Sequence, residues 1–249
     1  MILKELSEAF GVSGNEDDVR AIVLDAVRDH VDEVEIDAMG NVLVVKRGTG
    51  QDRMRVMLAA HMDEIGLMVV GHDDDGFLKV RAVGGIDARL LPGALLAVGG
   101  ERIPGVIGIK PIHLLESGEA DKVSKIDDLV VDVGAKGKDE AQKLAPLGTY
   151  ATFDTKFQER GATVIGKAFD DRAGCGVLIE LLRGEPFPFD LHAAFTVQEE
   201  VGLRGARVAA FAVNPDCAFA LEGTIADEIP KEKDVSPTTE LGKGPAITV

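Results

Sequence analysis

Acidic and histidine side chains recur in four short segments, and each segment follows an apolar run of the sequence. The segments are AAHMDEIGLM with His61 and Asp63, GKAFDDRAGCG with Asp170 and Asp171, TVQEEVGLRGA with Glu199 and Glu200, and FALEG with Glu222. One imidazole with several carboxylates is a ligand set for zinc or a similar divalent ion. The pattern therefore predicts a metal site, and two ions about 3.5 to 4 Å apart that share a carboxylate are the usual hydrolytic arrangement.

The apolar runs in front of these segments predict the strands that position them. The runs cover residues 56–60, 163–169, 191–197 and 217–221. In an open α/β sheet, ligands bind at the carboxyl ends of the strands. We therefore expect four buried strands whose carboxyl ends bring the acidic residues to one cleft.

Each of these signals has a simpler structural explanation when it is taken alone. A histidine near an aspartate is more often a hydrogen-bonded pair than a metal site. The DD pair could cap a helix that begins near Arg172, and the EE pair could cap a segment from Val201. All four signals occur in order, each after an apolar run, which independent helix caps would rarely produce. We therefore favour the metal site.

The residue types also limit the roles that each side chain can take. A metal-bound histidine usually donates its other ring N–H to a carboxylate or carbonyl group, and Asp63 follows His61 on the same side of the strand end. Adjacent acids cannot face one ion equally from an extended segment, so one of Glu199 and Glu200 can bind metal while the other transfers a proton. The spacing decides neither which glutamate does which nor which aspartate of the DD pair binds metal.

The chain resembles the M42 family of metallo-aminopeptidases in the strings AAHMDEIGLMV, GKAFDDRAG, FTVQEEVGLRGA and LGKGPAITV. This family includes the tetrahedral TET aminopeptidases and the deblocking aminopeptidases. The resemblance runs from Met1 to Val249, and its motifs are long and specific. It implies an α/β peptidase domain interrupted by a PDZ-like β domain through which these enzymes dimerise.

The resemblance also implies a role for each of the acidic and histidine residues that match its motifs. The ligands that the resemblance implies are His61, Asp170, Glu200 and Glu222. Asp170 bridges the two ions, and Glu200 belongs to the second ion. Glu199 matches the general base, and Asp63 matches the acid that orients the metal-bound histidine.

The chain is shorter than the family pattern. Family members continue after GKGPAITV with an acidic residue and, later, with a second histidine that binds the second metal. The other histidines of this chain lie in segments that do not match, namely His30, His72, His113 and His192. The resemblance therefore implies an incomplete family member whose second metal site is incomplete.

The composition argues against nucleic acids and membranes as partners. The chain has 43 acidic and 27 basic residues and a net charge of −16, which disfavours binding to anionic surfaces. A run of about 20 apolar residues is lacking, and the start MILKELSEAF predicts an amphipathic helix instead of a signal peptide. We expect a cytoplasmic protein whose cysteines, Cys175 and Cys217, are buried reduced thiols.

The texture of the sequence changes twice along the chain. Residues 1–69 and 161–249 alternate helix and strand patterns, including a hairpin over 34–46 and a helix over 172–183. Residues 70–160 predict short strands separated by turns such as DDDG, LPG and IPG. We therefore predict an α/β/α sandwich with a mixed sheet, interrupted by a small all-β domain. The resemblance assigns dimerisation to this β-rich insert.

Together, the motifs predict an aminopeptidase that depends on two divalent ions, zinc or cobalt, and removes N-terminal residues from peptides. The resemblance implies a homo-oligomer that is built from dimers, up to a tetrahedral dodecamer. A different amide hydrolase, such as a deacylase of N-acyl amino acids, is open as an alternative because the same two-metal chemistry would serve it. A truncated, non-catalytic oligomerisation module is the alternative that is not an enzyme.

Overall fold

The computed structural model describes residues 1–114, 125–226 and 239–248. The α-helices of these residues are α1 (Ile2–Glu8), α2 (Asp17–Val27), α3 (Lys138–Leu144), α4 (Phe169–Arg183) and α5 (Arg204–Val213). The β-strands are β1 (Glu33–Ile36), β2 (Val42–Lys46), β3 (Arg55–His61), β4 (Gly66–His72), β5 (Leu78–Val83), β6 (Leu95–Val98), β7 (Ile103–Gly108), β8 (Val130–Asp132), β9 (Tyr150–Phe153), β10 (Gln158–Arg160), β11 (Thr163–Ile165), β12 (Asp190–Thr196) and β13 (Cys217–Ala220). None of the helices in these ranges combines the length and the apolar character that crossing a bilayer requires.

A five-stranded mixed sheet forms the centre of the α/β part, with the strand order β1-β2-β12-β3-β13. β1 and β2 form the predicted hairpin, in which Glu33 pairs with Val45. β12 runs antiparallel to β2 and parallel to β3, and β13 is also parallel to β3. The carboxyl ends of β12, β3 and β13 therefore lie side by side at one end of the sheet.

Helices cover both faces of this sheet because alternate residues along each strand point to opposite sides. On one face, Ala193 and Phe195 of β12 pack with residues of α1, α2 and α4 in the larger apolar core. On the other face, Ala194 packs with Ala209 of α5. The residues of α4 in the larger core are Cys175, Leu178, Ile179 and Leu182. Their helical spacing places them on one side of α4, which faces the sheet.

Six strands between β3 and α4 close into a barrel in the order β4-β5-β8-β7-β6-β9. The pairings are antiparallel, and β9 returns to pair with β4 through Ala151 and Leu67. The apolar core of the barrel includes Leu67, Val69, Leu78, Val80, Leu96, Val98, Ile107 and Val131. The β-rich segment predicted from the sequence is thus a closed barrel. Its likeness to PDZ domains and the domain boundaries at 70 and 160 stay predictions.

One of the predicted buried strands is wrong. The run 163–169 predicts a strand of the central sheet, but β11 is exposed and pairs with β10 in a separate two-stranded ribbon. The strand stops before Gly166, where a Cβ would lie 2.7 Å from Ser7 Oγ, and α4 begins at Phe169. The β-branched residues of this run favour a strand but do not determine which sheet it joins. Asp170 therefore enters the cleft at the amino end of α4, where its own backbone angles, φ −83° and ψ 105°, are not helical.

The last strand, β13, is also less buried than the sequence predicts. It is the outer strand of the sheet among the described residues, and Phe219 within it is 56% exposed. Cys217 at its start is only partly buried, whereas Cys175 in α4 is fully buried as expected. Glu222 therefore approaches the cleft from an exposed edge strand.

Candidate metal centre

His61 lies at the centre of the cleft. It is the last residue of β3, the strand between β12 and β13, and its side chain is 2% exposed. The Nε2 atom faces three carboxylates, at 3.0 Å from Asp170 Oδ1, 3.6 Å from Glu222 Oε2 and 3.9 Å from Glu199 Oε2. The structure therefore brings together residues from β3, from α4 and from the segments that follow β12 and β13.

Three of these residues can hold a metal ion. His61, Asp170 and Glu222 each offer a ligand atom, and the three atoms lie within 4.8 Å of one another. Burial lowers the pKa of His61, but the carboxylates of Asp63, Asp171 and Glu222 outweigh burial and raise this pKa to about 10. Imidazole and carboxylate groups are the donors that zinc and related ions prefer. Both the donor set and the excess of negative charge fit a divalent cation.

The adjacent aspartates at the start of α4 have different surroundings. Asp170 faces His61, and its side chain is 58% exposed. Asp171 is fully buried, and its carboxylate accepts the N–H of His61 and that of Gly174, both at 3.0 Å. Burial raises the pKa of Asp171 to about 8, although His61 opposes the shift. Asp171 thus connects the amino end of α4 to the end of β3 by a hydrogen bond. This contact places the neighbouring residue, Asp170, next to the imidazole of His61.

Asp63 supports both the imidazole and the glutamate pair. The Nδ1 atom of His61 lies 3.1 Å from the main-chain oxygen of Asp63 and 3.5 Å from its carboxylate. The carboxylate accepts the hydroxyl of Ser13 at 2.5 Å and the N–H groups of Glu199 and Glu200 at 2.9 and 3.1 Å. Burial would raise the pKa of Asp63, but these donors and His61 hold it below its usual value.

Glu199 and Glu200 follow β12 and have different neighbours. Glu199 faces His61, whereas the side chain of Glu200 lies against Gly84, just after barrel strand β5. A Cβ on Gly84 would lie 3.2 Å from Glu200 Cβ, and the φ of +86° at Gly84 suits glycine. Burial raises the pKa of Glu200 to about 7, opposed by His61 and reinforced by Asp170. The barrel therefore forms the wall of the cleft next to Glu200.

A buried ion cluster lies behind the cleft. Glu64 is 3% exposed and accepts Lys167 Nζ at 2.7 Å, Arg172 Nη2 at 3.3 Å and Thr152 Oγ1 at 2.9 Å. Lys167 and Arg172 flank the aspartate pair of α4, and Thr152 belongs to β9. This Glu64 cluster therefore joins the end of β3, the barrel and the start of α4 at one point.

Sequence analysis misses several of the residues that shape the cleft. Ser13, Glu64 and Gly84 contact predicted site residues or their neighbours, yet none lies in an obvious metal-binding pattern. The available signal is Glu64, a second charged residue directly after Asp63 and before the apolar residues of β4. His72 lies elsewhere, in the barrel, where its Nε2 bonds to the main-chain oxygen of Ala145 at 2.7 Å.

The fold and the cleft define a class of protein, the α/β metallohydrolases, because a mixed sheet brings one imidazole and several carboxylates to its strand ends. Comparison with known proteins gives the family. The sequence matches the family model of M42 glutamyl aminopeptidases over residues 40–249. It is 40% identical to the lysyl aminopeptidase of Pyrococcus furiosus over 265 aligned residues, covering 100% of this chain and 72% of that protein.

Solved structures give the same result. Aminopeptidase APDkam598 from the archaeon Desulfurococcus kamchatkensis has a TM-score of 0.92 and 39% identity, covering 98% of this chain and 68% of that one. The TET1 peptidase of Pyrococcus horikoshii has a TM-score of 0.80 and 36% identity, covering 92% of this chain and 71% of that one. The chain belongs to the M42 family of aminopeptidases, which are metal-dependent hydrolases of peptides.

Proposed function

We propose that this protein removes N-terminal residues from peptides at a centre of two divalent ions, zinc or cobalt. His61, Asp170 and Glu222 would hold the first ion, and Asp170 and Glu200 would hold the second. The observation that carries the first ion is the set of three ligand atoms within 4.8 Å of one another, and the second ion rests on the resemblance to the family. A bound divalent ion activates a water molecule and polarises the carbonyl group of the scissile bond.

Glu199 is the proposed general base. Its Oε2 atom lies 3.9 Å from His61 Nε2, and its side chain is 25% exposed, so it borders the candidate ligands and is still open to substrate. A carboxylate in this position accepts a proton from the attacking water and returns it to the amine that leaves. Asp63 would assist by fixing the main chain of Glu199 through the hydrogen bond of 2.9 Å.

The named relatives favour an aminopeptidase over a deacylase of N-acyl amino acids. Two divalent ions would neutralise the four carboxylates around His61, those of Asp170, Glu199, Glu200 and Glu222, so the charge of the metal-loaded cleft does not separate the two kinds of substrate. The matching family model, the Pyrococcus furiosus relative and the Desulfurococcus kamchatkensis protein are all described as aminopeptidases. The deacylase is therefore the weaker alternative.

The residue preference of the enzyme is set outside the shared ligands. The matching family model is described as glutamyl aminopeptidase, and the Pyrococcus furiosus relative is named lysyl aminopeptidase. These two side chains carry opposite charges, so a common set of metal ligands cannot select between them. We place the selection in the walls of the cleft, of which Gly84 and the end of β5 form one.

We further propose a cytoplasmic homo-oligomer, built from dimers that form through the barrel, which binds neither nucleic acid nor membranes. The Pyrococcus horikoshii relative can assemble into a tetrahedron or a large octahedral shell, which supports an assembly of this type. The acidic net charge of −16 supports the exclusion of anionic partners. The alternative, a truncated and non-catalytic oligomerisation module, predicts a protein that assembles but binds at most one metal ion per chain.

Replacing Glu199 by glutamine tests the proposed function. Glutamine keeps the shape of the side chain but cannot accept the proton, so hydrolysis of an aminoacyl anilide should fall about 10²- to 10⁴-fold. The metal content should stay unchanged because Glu199 is not a proposed ligand. Glu180→Gln, at an exposed position of α4, is the matched control and should keep native activity. Near-native turnover by Glu199→Gln would show that the base lies elsewhere.

A further inference from the structure

The loop that carries Glu199 and Glu200 is held through its own backbone. Four consecutive N–H groups in this loop each donate to a side-chain oxygen from another part of the chain. The bonds run from Val197 to Asn41 Oδ1 at 3.0 Å, from Gln198 to Glu16 Oε1 at 3.2 Å, from Glu199 to Asp63 Oδ1 at 2.9 Å and from Glu200 to Asp63 Oδ2 at 3.1 Å. We call this set the amide clamp.

The acceptors of the amide clamp come from three distant segments. Glu16 precedes α2, Asn41 lies in the turn of the β1–β2 hairpin, and Asp63 follows β3. All three acceptors are buried, with at most 3% of their surface exposed. In the sequence, Glu16 lies 182 residues from Gln198, Asn41 lies 156 residues from Val197, and Asp63 lies 136 residues from Glu199. The convergence of three buried acceptors on one short loop is therefore a property of the tertiary fold.

Glu16 and Asn41 are themselves fixed by further bonds. Glu16 Oε1 also accepts the N–H of Gly14 at 2.7 Å. Asn41 Nδ2 donates to the main-chain oxygen of Gly205 at 3.1 Å and to Asp37 Oδ2 at 2.6 Å. An acceptor whose own side chain is fixed by further hydrogen bonds also fixes the position of the N–H group that it binds.

The loop needs such support because its backbone is unusual. Gln198 has a φ of +56°, in the left-handed region that residues other than glycine rarely adopt. A residue in this region persists where the surrounding structure holds it. The bond to Glu16 holds Gln198 itself, and the bonds on either side fix its neighbours.

We propose that Glu16 and Asn41 are positioning residues of the catalytic centre. They hold the N–H groups of Gln198 and Val197, so that Glu199 is directed to His61 while Glu200 lies against Gly84. Neither side chain touches the substrate, and both act through the backbone that carries the two glutamates. The inference rests on the proposed function, in which Glu199 is the base and Glu200 a ligand.

Two substitutions at Glu16 separate positioning from general stability. Glu16→Gln keeps a side-chain oxygen that can accept the N–H of Gln198, whereas Glu16→Ala removes the acceptor. Glu16→Ala should lower kcat by up to about 10²-fold, as expected for a small misplacement of catalytic groups, and should change KM little. Glu16→Gln should keep most of the native kcat. Equal losses in the two variants would overturn the proposal.

Hydrogen–deuterium exchange of the metal-free protein provides a readout that does not depend on activity. In Glu16→Ala, peptides that cover residues 197–203 should exchange faster than in the native protein, because the N–H of Gln198 has lost its acceptor. Peptides from β12 and from the barrel should be unchanged. Native exchange in residues 197–203, or equally faster exchange throughout the protein, would contradict a local positioning role.

Two further variants keep the proposal open to refutation. If Glu16→Ala does not fold, Glu16→Asp retains the charge but shortens the side chain by one methylene, and it should give the same localised exchange and loss of kcat. An active Glu16→Asp with native exchange would overturn the proposal. Fully active Glu199→Gln would overturn the proposed base alone, and the exchange result would still decide whether Glu16 holds the loop.

Discussion

Glu200 and Glu222 reach the same cleft from the two strands that flank β3, yet the protein holds them very differently. The N–H of Glu200 donates to the buried carboxylate of Asp63, and the three preceding N–H groups are held in the same manner. Glu222 follows β13, the outer strand of the sheet in the described part of the chain, and its side chain is 47% exposed. Leu221, the residue before Glu222, joins this segment to β3 by a bond of 2.8 Å to Ala59.

Among the described residues, the polypeptide holds the Glu200 side of the candidate metal centre more firmly than the Glu222 side. Burial raises the pKa of Glu222, and the negative charge of Asp170 raises it further, whereas His61 lowers it. The net effect disfavours the charged form of the Glu222 carboxylate. A divalent cation would remove this repulsion. We therefore distinguish a fixed side, residues 197–200, from an ion-dependent side, residues 221–223.

The largest expected effect is that of His61→Ala, which removes the residue shared by both sides. The Nε2 atom of His61 lies within 4 Å of Asp170, Glu199 and Glu222, and without it the carboxylates would repel one another. The variant should lose its first metal ion and its peptidase activity. The number of metal ions bound per chain, measured on the purified variant and on the native protein, tests this prediction. An unchanged number would show that His61 is not a ligand.

Glu64→Ala should lower the stability of the protein behind both sides of the cleft. The substitution leaves the buried cations of Lys167 and Arg172 without their shared carboxylate, and breaking a buried ion pair in this way costs about 3–5 kcal/mol. The free energy of unfolding in urea measures this loss. Glu180→Ala, at an exposed ion pair of α4, is the control and should lie within about 0.5 kcal/mol of the native protein. Equal stabilities would mean that the Glu64 cluster contributes little.

The smallest expected effect is slower hydrogen–deuterium exchange of backbone amides when the protein binds metal. Zinc or cobalt should slow hydrogen–deuterium exchange in peptides that cover residues 221–223, because the ion orders the ion-dependent side. Residues 197–200 should change less, since the amide clamp already protects them in the metal-free protein. Equal protection of both segments by metal would remove the distinction between the two sides.

Most of the residues that meet in the cleft could be predicted from the sequence, because each follows an apolar run. His61, Glu199 and Glu222 each follow an apolar run, and the strands β3, β12 and β13 form near the predicted positions. Parallel neighbours bring such strand ends together without further information. The apolar runs were therefore sufficient to predict three of the four segments that meet in the cleft.

The remaining features depend on contacts between distant segments, which periodicity does not encode. Thr163–Ile165 has strand-forming residues, but its partner is β10 instead of the central sheet, and Asp170 consequently lies at the amino end of α4 instead of at the end of a sheet strand. The acceptors Glu16 and Asn41 are ordinary polar residues in their own segments, a helix cap and a hairpin turn. Only the packed fold shows that they meet the loop after β12.

The pairing of β4 with β9 has a consequence for the order of folding. His61 and Asp170 are 109 residues apart in the sequence, and the barrel lies between them. The first and last strands of the barrel, β4 and β9, are neighbours. The folded barrel therefore brings the chain back close to the end of β3, where Thr152 donates a hydrogen bond to Glu64. Barrel closure thus removes most of the loop entropy that would oppose joining β3 to α4. We expect metal affinity to develop late in refolding, after the barrel has formed. Metal binding would then indicate that both the barrel and the α/β part have folded.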